Sequence, residues 1–314
     1  MLSIIIATYD RINDVIKSLS IMKEYETFKD IDSRFIIVFD GNVIKDSDKD
    51  LICKNNPGTK EIKVLMSKQH IGQNAARNLG INEAKKDNPE LILFMDDDAV
   101  IVSNFELKKV LYLFSKYNNA GAIGLTSIIE CNGKDQYYSK YKKGNDIFPV
   151  VYPCLAATII RSNIVFYYNK FFFPEDIFYG SDEWALALRV RQAGYQVYAT
   201  DKARCYHRFV QKGRSKKIRG NLQYAHAYIW ALFPFKSSLL LLTSRLISII
   251  AKPYFESSYI IEKIRGLFDG YIKGIYNKNK VDNEYLGDIN WMEVLKMFKE
   301  AYYQKGNKLF SRIF

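Results

Sequence analysis

The sequence is poor in cysteine, tryptophan and histidine, with four, three and three residues of each among 314. The cysteines Cys53, Cys131, Cys154 and Cys205 are widely spaced and form no C-x-x-C pair, which argues against a disulfide scaffold. Structural thiols in a reduced, cytosolic chain are the simplest interpretation. A basic leader with a cleavage site is also lacking, so no secretion signal is predicted.

Long uninterrupted apolar runs are lacking as well. The most apolar stretch, Tyr228–Phe255, is broken by Arg245 and Lys252, so no run reaches the ~18 uncharged residues of a membrane-spanning helix. Hydrophobic residues nevertheless make up 48% of the chain and charged residues 25%, which excludes an intrinsically disordered protein. Aromatic residues, at 15%, are frequent enough to favour contacts with sugars or with a membrane interface.

Positive charge is concentrated in one part of the chain. Residues 208–314 contain 19 of the 46 basic and 8 of the 34 acidic residues, and so carry +11 of the net charge of +12. Six of the twelve residues from Arg208 to Arg219 are basic, and the apolar stretch Tyr228–Phe255 follows them. Basic residues beside an apolar stretch favour helices that lie on an anionic membrane surface. The alternative is an amphipathic helix that packs on the rest of the protein.

Nucleic-acid binding fits the charge of this region less well, because Arg208–Arg219 lacks a series of interleaved aromatic side chains. We therefore expect no nucleic-acid partner.

Apolar strand-like runs alternate with helical patterns over the first hundred residues. The runs and patterns are, in chain order, a strand at Ser3–Thr8, a helix at Arg11–Lys23, strands at Arg34–Phe39 and Ile62–Met66, a helix at Gly72–Lys86 and a strand at Leu91–Met95. Such alternation predicts an α/β fold with a mostly parallel central sheet, flanked by helices, that binds ligands at the carboxyl ends of its strands.

The later part of the chain adds further elements to this pattern. Strands are predicted at Gly121–Ile129 and Val150–Ile160, and helices at Phe105–Tyr117 and Ser181–Ala193. Beyond His207 the pattern is helical, which predicts a helical C-terminal extension. The aromatic run Phe171–Phe173 is interpreted either as part of a loop that contacts an acceptor or as a buried cluster.

Three consecutive carboxylates, Asp96, Asp97 and Asp98, follow the apolar strand Leu91–Met95. Adjacent anions repel one another unless a cation or solvent compensates them, so a divalent metal ion that carries a diphosphate is a natural partner. Strand alternation would place Asp96 and Asp98 on the same side. A solvated acidic turn is the alternative interpretation.

Five ordered segments give the chain a more specific resemblance. They are Ile4–Arg11 (IIIATYDR), Ile36–Asn42 (IIVFDGN), Gly72–Ile81 (GQNAARNLGI), Leu91–Asp98 (LILFMDDD) and Asp182–Arg189 (DEWALALR). In order and spacing they resemble the family 2 glycosyltransferases, which have the GT-A fold. The resemblance covers about residues 1–210, and implies a catalytic domain there with an extension at 211–314. More loosely, the tail resembles that of bacterial members that build cell-surface polysaccharide, including rhamnosyltransferases.

The resemblance implies roles for individual residues. The nucleotide-sugar site would contain Ala7, Thr8 and Tyr9 along the nucleotide and Asp40 at the base. It would also contain Arg11 and Arg77 at the nucleotide or its diphosphate, together with Asp96 and Asp97. Guanidinium groups suit a diphosphate, because they bind phosphate through paired hydrogen bonds and stay charged. Asp98, Asp96 and His207 would hold Mn²⁺ or Mg²⁺.

Asp182 and Glu183 resemble the acidic catalytic motif of the family. Inverting sugar transfer requires a base that accepts the proton of the acceptor hydroxyl. Alignment of the family motif on Arg189 places the base at Glu183, but the order Asp-Glu leaves both residues as candidates. At a helix N-terminus, the two could also serve as capping residues.

Three residues depart from the family pattern. Ala7 stands in place of a proline, Phe39 in place of the first of two aspartates, and His70 where asparagine is common. The change at Phe39 leaves the donor base, uridine or thymidine, undecided.

These observations together predict a metal-dependent, inverting glycosyltransferase that uses a nucleoside-diphosphate-sugar and a glycan acceptor carried on a lipid. We expect it at the cytoplasmic face of the cell membrane, as a peripheral protein and as a homo-oligomer joined through its C-terminal helices. The alternative is a non-catalytic nucleotide-sugar-binding or scaffolding subunit. A nucleotidyltransferase is disfavoured because no glycine-rich phosphate loop follows the first strand.

Overall fold

The computed structural model describes residues 1–41, 43–129, 146–167, 171–208, 216–233, 235–250 and 260–278. Its strands are β1 (Leu2–Thr8), β2 (Ser33–Phe39), β3 (Glu61–Met66), β4 (Leu91–Met95), β5 (Ala99–Ile101), β6 (Ala120–Ile129), β7 (Phe148–Pro149), β8 (Ala157–Arg161) and β9 (Gln196–His207). Its helices are α1 (Ile12–Glu24), α2 (Asp46–Lys54), α3 (Gln73–Ala84), α4 (Asn104–Lys116), α5 (Ser162–Tyr167), α6 (Asp182–Gln192), α7 (Lys216–Ala231), α8 (Phe235–Ile250) and α9 (Ile260–Lys278).

One sheet contains all of these strands. Its order is β3-β2-β1-β4-β8-β6-β9-β5, with β7 paired to β9. The first four strands pair in parallel, as predicted from the alternating pattern. Beyond β4 the sheet is mixed, because β8 runs antiparallel to both β4 and β6 while β9 is parallel to β6.

The central strands β1, β2 and β4 form the middle of the core. Every residue of β2 and β4 is buried, and so is the run Leu2–Ile6 of β1. Helices cover both faces of a parallel sheet, which explains why these strands are almost continuously apolar in sequence. Their parallel register sets Thr8 opposite Phe39 and Ile6 opposite Met95, so Tyr9, Asp40 and Asp96 follow at one edge.

The predicted strand Val150–Ile160 is wrong over most of its length. Residues 150–156 lie outside the strands, and only Ala157–Arg161 forms β8. Pro153 lacks the amide hydrogen that a ladder pair requires, and the carbonyl of Cys154 instead accepts bonds from the Ala157 amide and the Thr158 hydroxyl, at 3.3 and 2.7 Å.

Strand β9 carries the end of the predicted catalytic region back into the sheet. It pairs in parallel with β6 and antiparallel with β5, where His207 stands opposite Ala99. The Arg208 amide then donates to the Asp98 carbonyl at 3.0 Å, and the Arg208 guanidinium donates to the Asp14 carbonyl and the Ser18 hydroxyl at 2.7 and 2.8 Å. The residue pair 207–208 is therefore fixed beside the end of β4.

Helices α7 and α9 pack closely because glycines line their contact. Gly270 lies against the backbone of Tyr224, and Gly274 against the backbone of Tyr228 and the side chain of Ala231. Helix α8 joins them through the Arg245 guanidinium, which donates to the Gln223 amide oxygen on α7 at 2.8 Å. The glycines stand at i and i+4, the spacing that lets two helix backbones approach.

A leucine at Gly270 is expected to lower the free energy of unfolding by about 1–3 kcal/mol, because its Cβ would overlap the carbonyl oxygen of Tyr224. Urea denaturation measures the change. Asp269→Leu, at an exposed neighbouring position, introduces the same side chain and is expected to stay within about 0.5 kcal/mol of the parent. Equal losses in both variants would contradict the close packing of α7 on α9.

Among the described helices, none combines the length and apolar character needed to cross a bilayer. Of the basic segment 208–219, residues 209–215 lie outside the described part of the chain, as do residues 279–314 of the predicted extension.

Candidate active site

The three carboxylates after β4 lie in a tight turn and point in different directions. The Asp96 amide donates to the Ala156 carbonyl at 3.3 Å, and the Ala99 amide donates to the Asp96 carbonyl at 3.2 Å, which closes the turn. The carboxylates of Asp97 and Asp98 are buried, whereas that of Asp96 is 27% exposed. Each of the three therefore has its own set of partners.

Asp97 faces inward, toward β1 and α1. Its carboxylate accepts a hydrogen bond from the Thr8 hydroxyl at 2.7 Å and forms an ion pair with the Arg11 guanidinium at 2.8 Å. The Ser18 hydroxyl donates to its carbonyl at 2.9 Å. Burial raises the pKa of Asp97 to about 7, against the opposing effects of Arg11 and Thr8. Thr8 and Asp97, both predicted to bind the nucleotide-sugar, thus bind each other in this arrangement.

Asp98, Asp96 and His207 come together, as the sequence predicted. The His207 Nε2 atom lies 3.0 Å from an oxygen of Asp98 and 3.9 Å from one of Asp96. One ligand atom from each of the three residues can be chosen so that all lie within 4.8 Å of one another. Two carboxylate oxygens and one imidazole nitrogen form a donor set that suits Mn²⁺, and with water and phosphate oxygens also Mg²⁺. These residues therefore fit a divalent ion.

Charges around this cluster keep Asp98 ionised. Burial alone would raise the pKa of Asp98, but His207 and Arg11 outweigh it and hold that pKa well below its usual range. The Arg11 guanidinium donates to the other Asp98 oxygen at 2.6 Å. Burial raises the pKa of Asp96, which Arg77 and His207 oppose.

Arg77 connects the metal-side carboxylates to the predicted catalytic helix. Its side chain is 1% exposed and donates to Asp96 at 3.1 Å and, through its other terminal nitrogen, to Asp182. Helix α3 places Arg77 there, since the neighbouring Ala76 packs in the core beneath it. The guanidinium that was predicted to meet the nucleotide or its diphosphate is thus held by two carboxylates.

Asp182 and Glu183 begin helix α6, as predicted, but their environments differ. Asp182 is buried and paired with Arg77, whereas Glu183 is only partly buried. Glu183 follows Asp182 in the first turn of α6, and its negative charge acts to raise the pKa of both Arg77 and Asp96. The residue before the helix, Ser181, adopts a left-handed conformation with φ +57° and makes no side-chain cap. Placement of the two acids at the N-terminus is favoured by the helix dipole.

Aromatic rings form the other end of the site. The Tyr9 and His70 rings stack with centroids 3.6 Å apart, and Phe178 meets the edge of His70 at 4.6 Å. All three rings are at least one-third exposed. Ala7 lies just before them, at the partly buried end of β1. Flat exposed rings of this kind can stack on a nucleotide base.

Asp40 is buried beneath these rings, and both of its oxygens are engaged. One accepts from the Ser67 hydroxyl and the Ile71 amide at 3.1 and 2.7 Å, and the other lies 2.7 Å from His70 Nδ1 and accepts from the Gly72 amide at 2.9 Å. Asp40 therefore shapes the turn at residues 70–72. Sequence reasoning gave His70 no role, although its departure from the family pattern was the available signal.

The aromatic run Phe171–Phe173 is mainly a buried cluster. Phe172 and Phe173 are almost fully buried and pack on Phe94 of β4, whereas Phe171 is half-exposed. Of the two interpretations, the structure supports the buried cluster for the last two rings. It also buries Phe39 in the core, away from the exposed rings.

A mixed α/β fold with clustered carboxylates at the strand ends is the arrangement of GT-A glycosyltransferases. The family model described as Glycosyl transferase family 2 matches residues 3–189, more than half of the chain. The protein therefore belongs to glycosyl transferase family 2. A search of curated proteins found no match to the sequence.

Solved structures with the same fold share little sequence with this chain. TarS 1-349 of S. aureus is 14% identical, with a TM-score of 0.52 over 96% of this chain and 79% of that one. GalNAc-T7, crystallised with UDP, GalNAc and Mn²⁺, is 12% identical, with a TM-score of 0.59 over 91% and 58%. Mannosyltransferase PcManGT from Pyrobaculum calidifontis, in complex with GDP-Man and Mn²⁺, is 10% identical, with a TM-score of 0.52 over 99% and 82%. At such identities these likenesses concern the fold alone.

Proposed function

We propose that this protein is a metal-dependent, inverting glycosyltransferase. It would transfer a hexosyl or deoxyhexosyl group from a UDP- or dTDP-linked donor to a lipid-linked glycan in the synthesis of bacterial surface polysaccharide. The observation that carries this proposal is the cluster of Asp96, Asp98 and His207 near the carboxyl end of β4, which Arg77 joins to the N-terminus of helix α6, where Glu183 lies. A metal-binding cluster beside a carboxylate base is what this reaction requires.

The metal would be held by Asp96, Asp98 and His207, and when bound it would neutralise charge on the diphosphate leaving group. Asp96, Asp97, Asp98 and Asp182 pair with the guanidinium groups of Arg11 and Arg77, and His207 lies beside Asp98. Together with Glu183, the carboxylates outnumber these guanidinium groups. This excess of negative charge favours a divalent cation, and repels a diphosphate that arrives without one.

Glu183 is the better candidate for the catalytic base. Asp182 is buried and its oxygen is already bonded to Arg77, so its role would be to position that guanidinium. Glu183 is the less buried of the two, and its negative charge contributes to the raised pKa of Asp96. In the proposed reaction, Glu183 accepts the proton of the acceptor hydroxyl as that oxygen attacks the anomeric carbon.

Tyr9 and His70 would bind the donor base through their exposed rings. Asp40 would act indirectly, by fixing His70 through its Nδ1 atom, because its oxygens are engaged by Ser67, Ile71 and Gly72 as well. A uracil or thymine ring can stack on an exposed aromatic face of this kind.

The C-terminal helices α8 and α9 would contact the membrane surface. Ile261, Phe268 and Ile272 are exposed along one face of α9, and the basic residues Lys263 and Arg265 share that helix. Apolar side chains beside basic ones suit the interface of an anionic bilayer. Three further points stay predictions. They are peripheral attachment to the inner face of the membrane, the division of the chain at residue 210 and homo-oligomer formation through these helices.

Thermal unfolding with nucleotides tests the donor and metal sites. Because a ligand that binds only the folded state stabilises it, UDP or dTDP with Mn²⁺ at about 100 times Kd should raise the Tm by roughly 5 °C. The variant Asp98→Asn should lose the Mn²⁺-dependent part of this shift. Asp46→Asn, at an exposed carboxylate on α2, is the matched control and should keep the full shift.

A full Mn²⁺-dependent shift in Asp98→Asn would contradict the metal site. Nucleotide binding without any release of nucleoside diphosphate from a nucleotide-sugar, whichever acceptor is supplied, would instead favour the scaffolding alternative.

A further inference from the structure

Residues 174–181 link the aromatic cluster to the catalytic helix, and are called here the bridging segment. The segment ends at Ser181, immediately before Asp182 and Glu183. It has no regular secondary structure, so its position is set by its contacts with neighbouring elements.

Helix α3 holds the bridging segment on one side. The Gln73 amide donates to the Phe178 carbonyl at 2.9 Å, and the Asn74 side chain donates to the Pro174 carbonyl at 3.2 Å. Gly72 permits this approach, because a Cβ there would lie 2.7 Å from the Phe178 carbonyl oxygen. These contacts lie within the domain that carries the rest of the site.

The C-terminal helices hold the same segment on the other side through Asp176. The Asn277 side chain on α9 donates to the Asp176 carboxylate at 2.5 Å and to the Tyr228 hydroxyl on α7 at 3.0 Å. The Tyr228 hydroxyl lies 3.5 Å from the same Asp176 oxygen, and the Lys273 ammonium group is 3.3 Å from the other. Asn277 and Tyr228 are both buried, so Asp176 is the point at which the segment enters the α7–α9 contact.

Two further contacts lie at the end of the segment that meets the catalytic helix. Gly180, with φ +88°, leaves space for Leu222 of α7, whose Cδ2 would be 2.7 Å from a Cβ at that position. The Ser181 hydroxyl lies 3.2 Å from His226 Nδ1, which is also 2.6 Å from the Leu222 carbonyl. Because a carbonyl can only accept, Nδ1 carries the hydrogen, and the Ser181 oxygen accepts a share of it.

We propose that α7 and α9 form a positioning element of the transfer site. They fix the bridging segment, through Asp176 and Ser181, in the place that presents Glu183 to the acceptor hydroxyl. This proposal rests on the proposed function of Glu183. The helical extension is therefore required for the transfer step, in addition to any contact that it makes with a membrane.

The variants Asn277→Leu and Asp176→Ala test the proposal, with Asp269→Leu, at an exposed position on α9, as the matched control. The assay follows Mn²⁺-dependent release of nucleoside diphosphate from UDP-glucose, UDP-galactose, UDP-N-acetylglucosamine and dTDP-rhamnose, with n-octyl β-glucoside as acceptor. We expect kcat to fall about ten- to a hundredfold in the two variants, with the donor KM unchanged. Asp176→Asn, which keeps an oxygen to accept from Asn277, should recover most of the rate.

Hydrogen exchange at the amides of residues 176–185 gives a readout that needs no turnover. Exchange in this stretch should be faster in Asn277→Leu and unchanged in Asp269→Leu, because loss of an anchor promotes local opening. If Asn277→Leu kept both the wild-type kcat and the wild-type exchange rates at residues 176–185, the positioning role would be overturned. Absence of nucleotide release from the wild-type protein would contradict the proposed function, and the exchange experiment would still decide the positioning role.

Discussion

Replacement of Glu183 by glutamine is expected to lower kcat for sugar transfer by about 10²–10⁴-fold, since glutamine cannot accept the proton of the acceptor hydroxyl. Binding of a nucleoside diphosphate with Mn²⁺ should be unchanged, because Asp96, Asp98 and His207 are intact in this variant. Steady-state kinetics and the nucleotide-induced rise in Tm measure the two quantities separately.

Two further variants make this experiment specific. Glu262→Gln, at an exposed position on α9, is the same chemical change away from the site and should keep the wild-type rate. Asp182→Asn should lower both the rate and the free energy of unfolding, because it removes a charge partner of buried Arg77. If Glu183→Gln kept more than a tenth of the wild-type rate, the base assignment would be wrong and Asp182 would take its place.

Replacement of Arg77 by leucine is expected to lower the free energy of unfolding by about 3–5 kcal/mol. The guanidinium is 1% exposed and bonded to Asp96 and Asp182, so its removal leaves two carboxylates without their charge partner. Activity should be lost as well, because Arg77 joins the metal side of the site to the catalytic helix. Urea denaturation gives the stability, with the midpoint compared at constant slope.

Arg34→Leu is a matched control for this large effect. Arg34 is also buried, but its charge partners Glu61 and Asp87 are 54% and 39% exposed, so solvent can replace the lost charge, and its remaining hydrogen bond is to the neutral Glu83 carbonyl at 2.9 Å. We expect Arg34→Leu to lower the free energy of unfolding by about 1 kcal/mol. The free energy of unfolding of Arg77→Lys should lie between those of the parent and Arg77→Leu, because an ammonium group cannot make the planar contact with two carboxylates that a guanidinium makes. Equal losses in Arg77→Leu and Arg34→Leu would show that the pairing with Asp96 and Asp182 adds no special stability.

The parallel half of the sheet was predictable because its central strands β1, β2 and β4 are buried on both faces. Continuous apolar runs such as Leu91–Met95, each followed by polar residues, indicate this arrangement directly. Helix α2 was missed because Ile52 is its only buried residue, which leaves no apolar periodicity to detect. Strand β9 was missed because Asp201 and Lys202 interrupt its alternation in the middle.

The grouping of the three metal-side residues was predictable from the resemblance, whereas the contacts of the other site residues were not. Asp96, Asp98 and His207 meet as the family resemblance implied. The direction in which the Asp97 side chain points was not predictable, because side chains in a turn do not alternate between two faces as they do in a strand. The partner of Arg77 at residue 182 lies 105 positions away, and only the folded chain brings them together.

The glycines that let α7 and α9 approach, Gly270 and Gly274, stand four residues apart in the sequence. This spacing was the signal for close helix packing. It could not identify the partner helix, because a stripe of small residues fits many surfaces.

Strand β9 has a consequence for how the protein acquires its site. His207 meets Asp98, and Arg208 reaches Ser18, 190 residues earlier in the chain, only after β9 has paired with β5 and β6. Contacts this distant in sequence close late, because the entropy of the intervening chain must be lost first. We therefore expect the cation site to form late in folding, and a bound ion to stabilise the protein by slowing its unfolding rather than by speeding its folding.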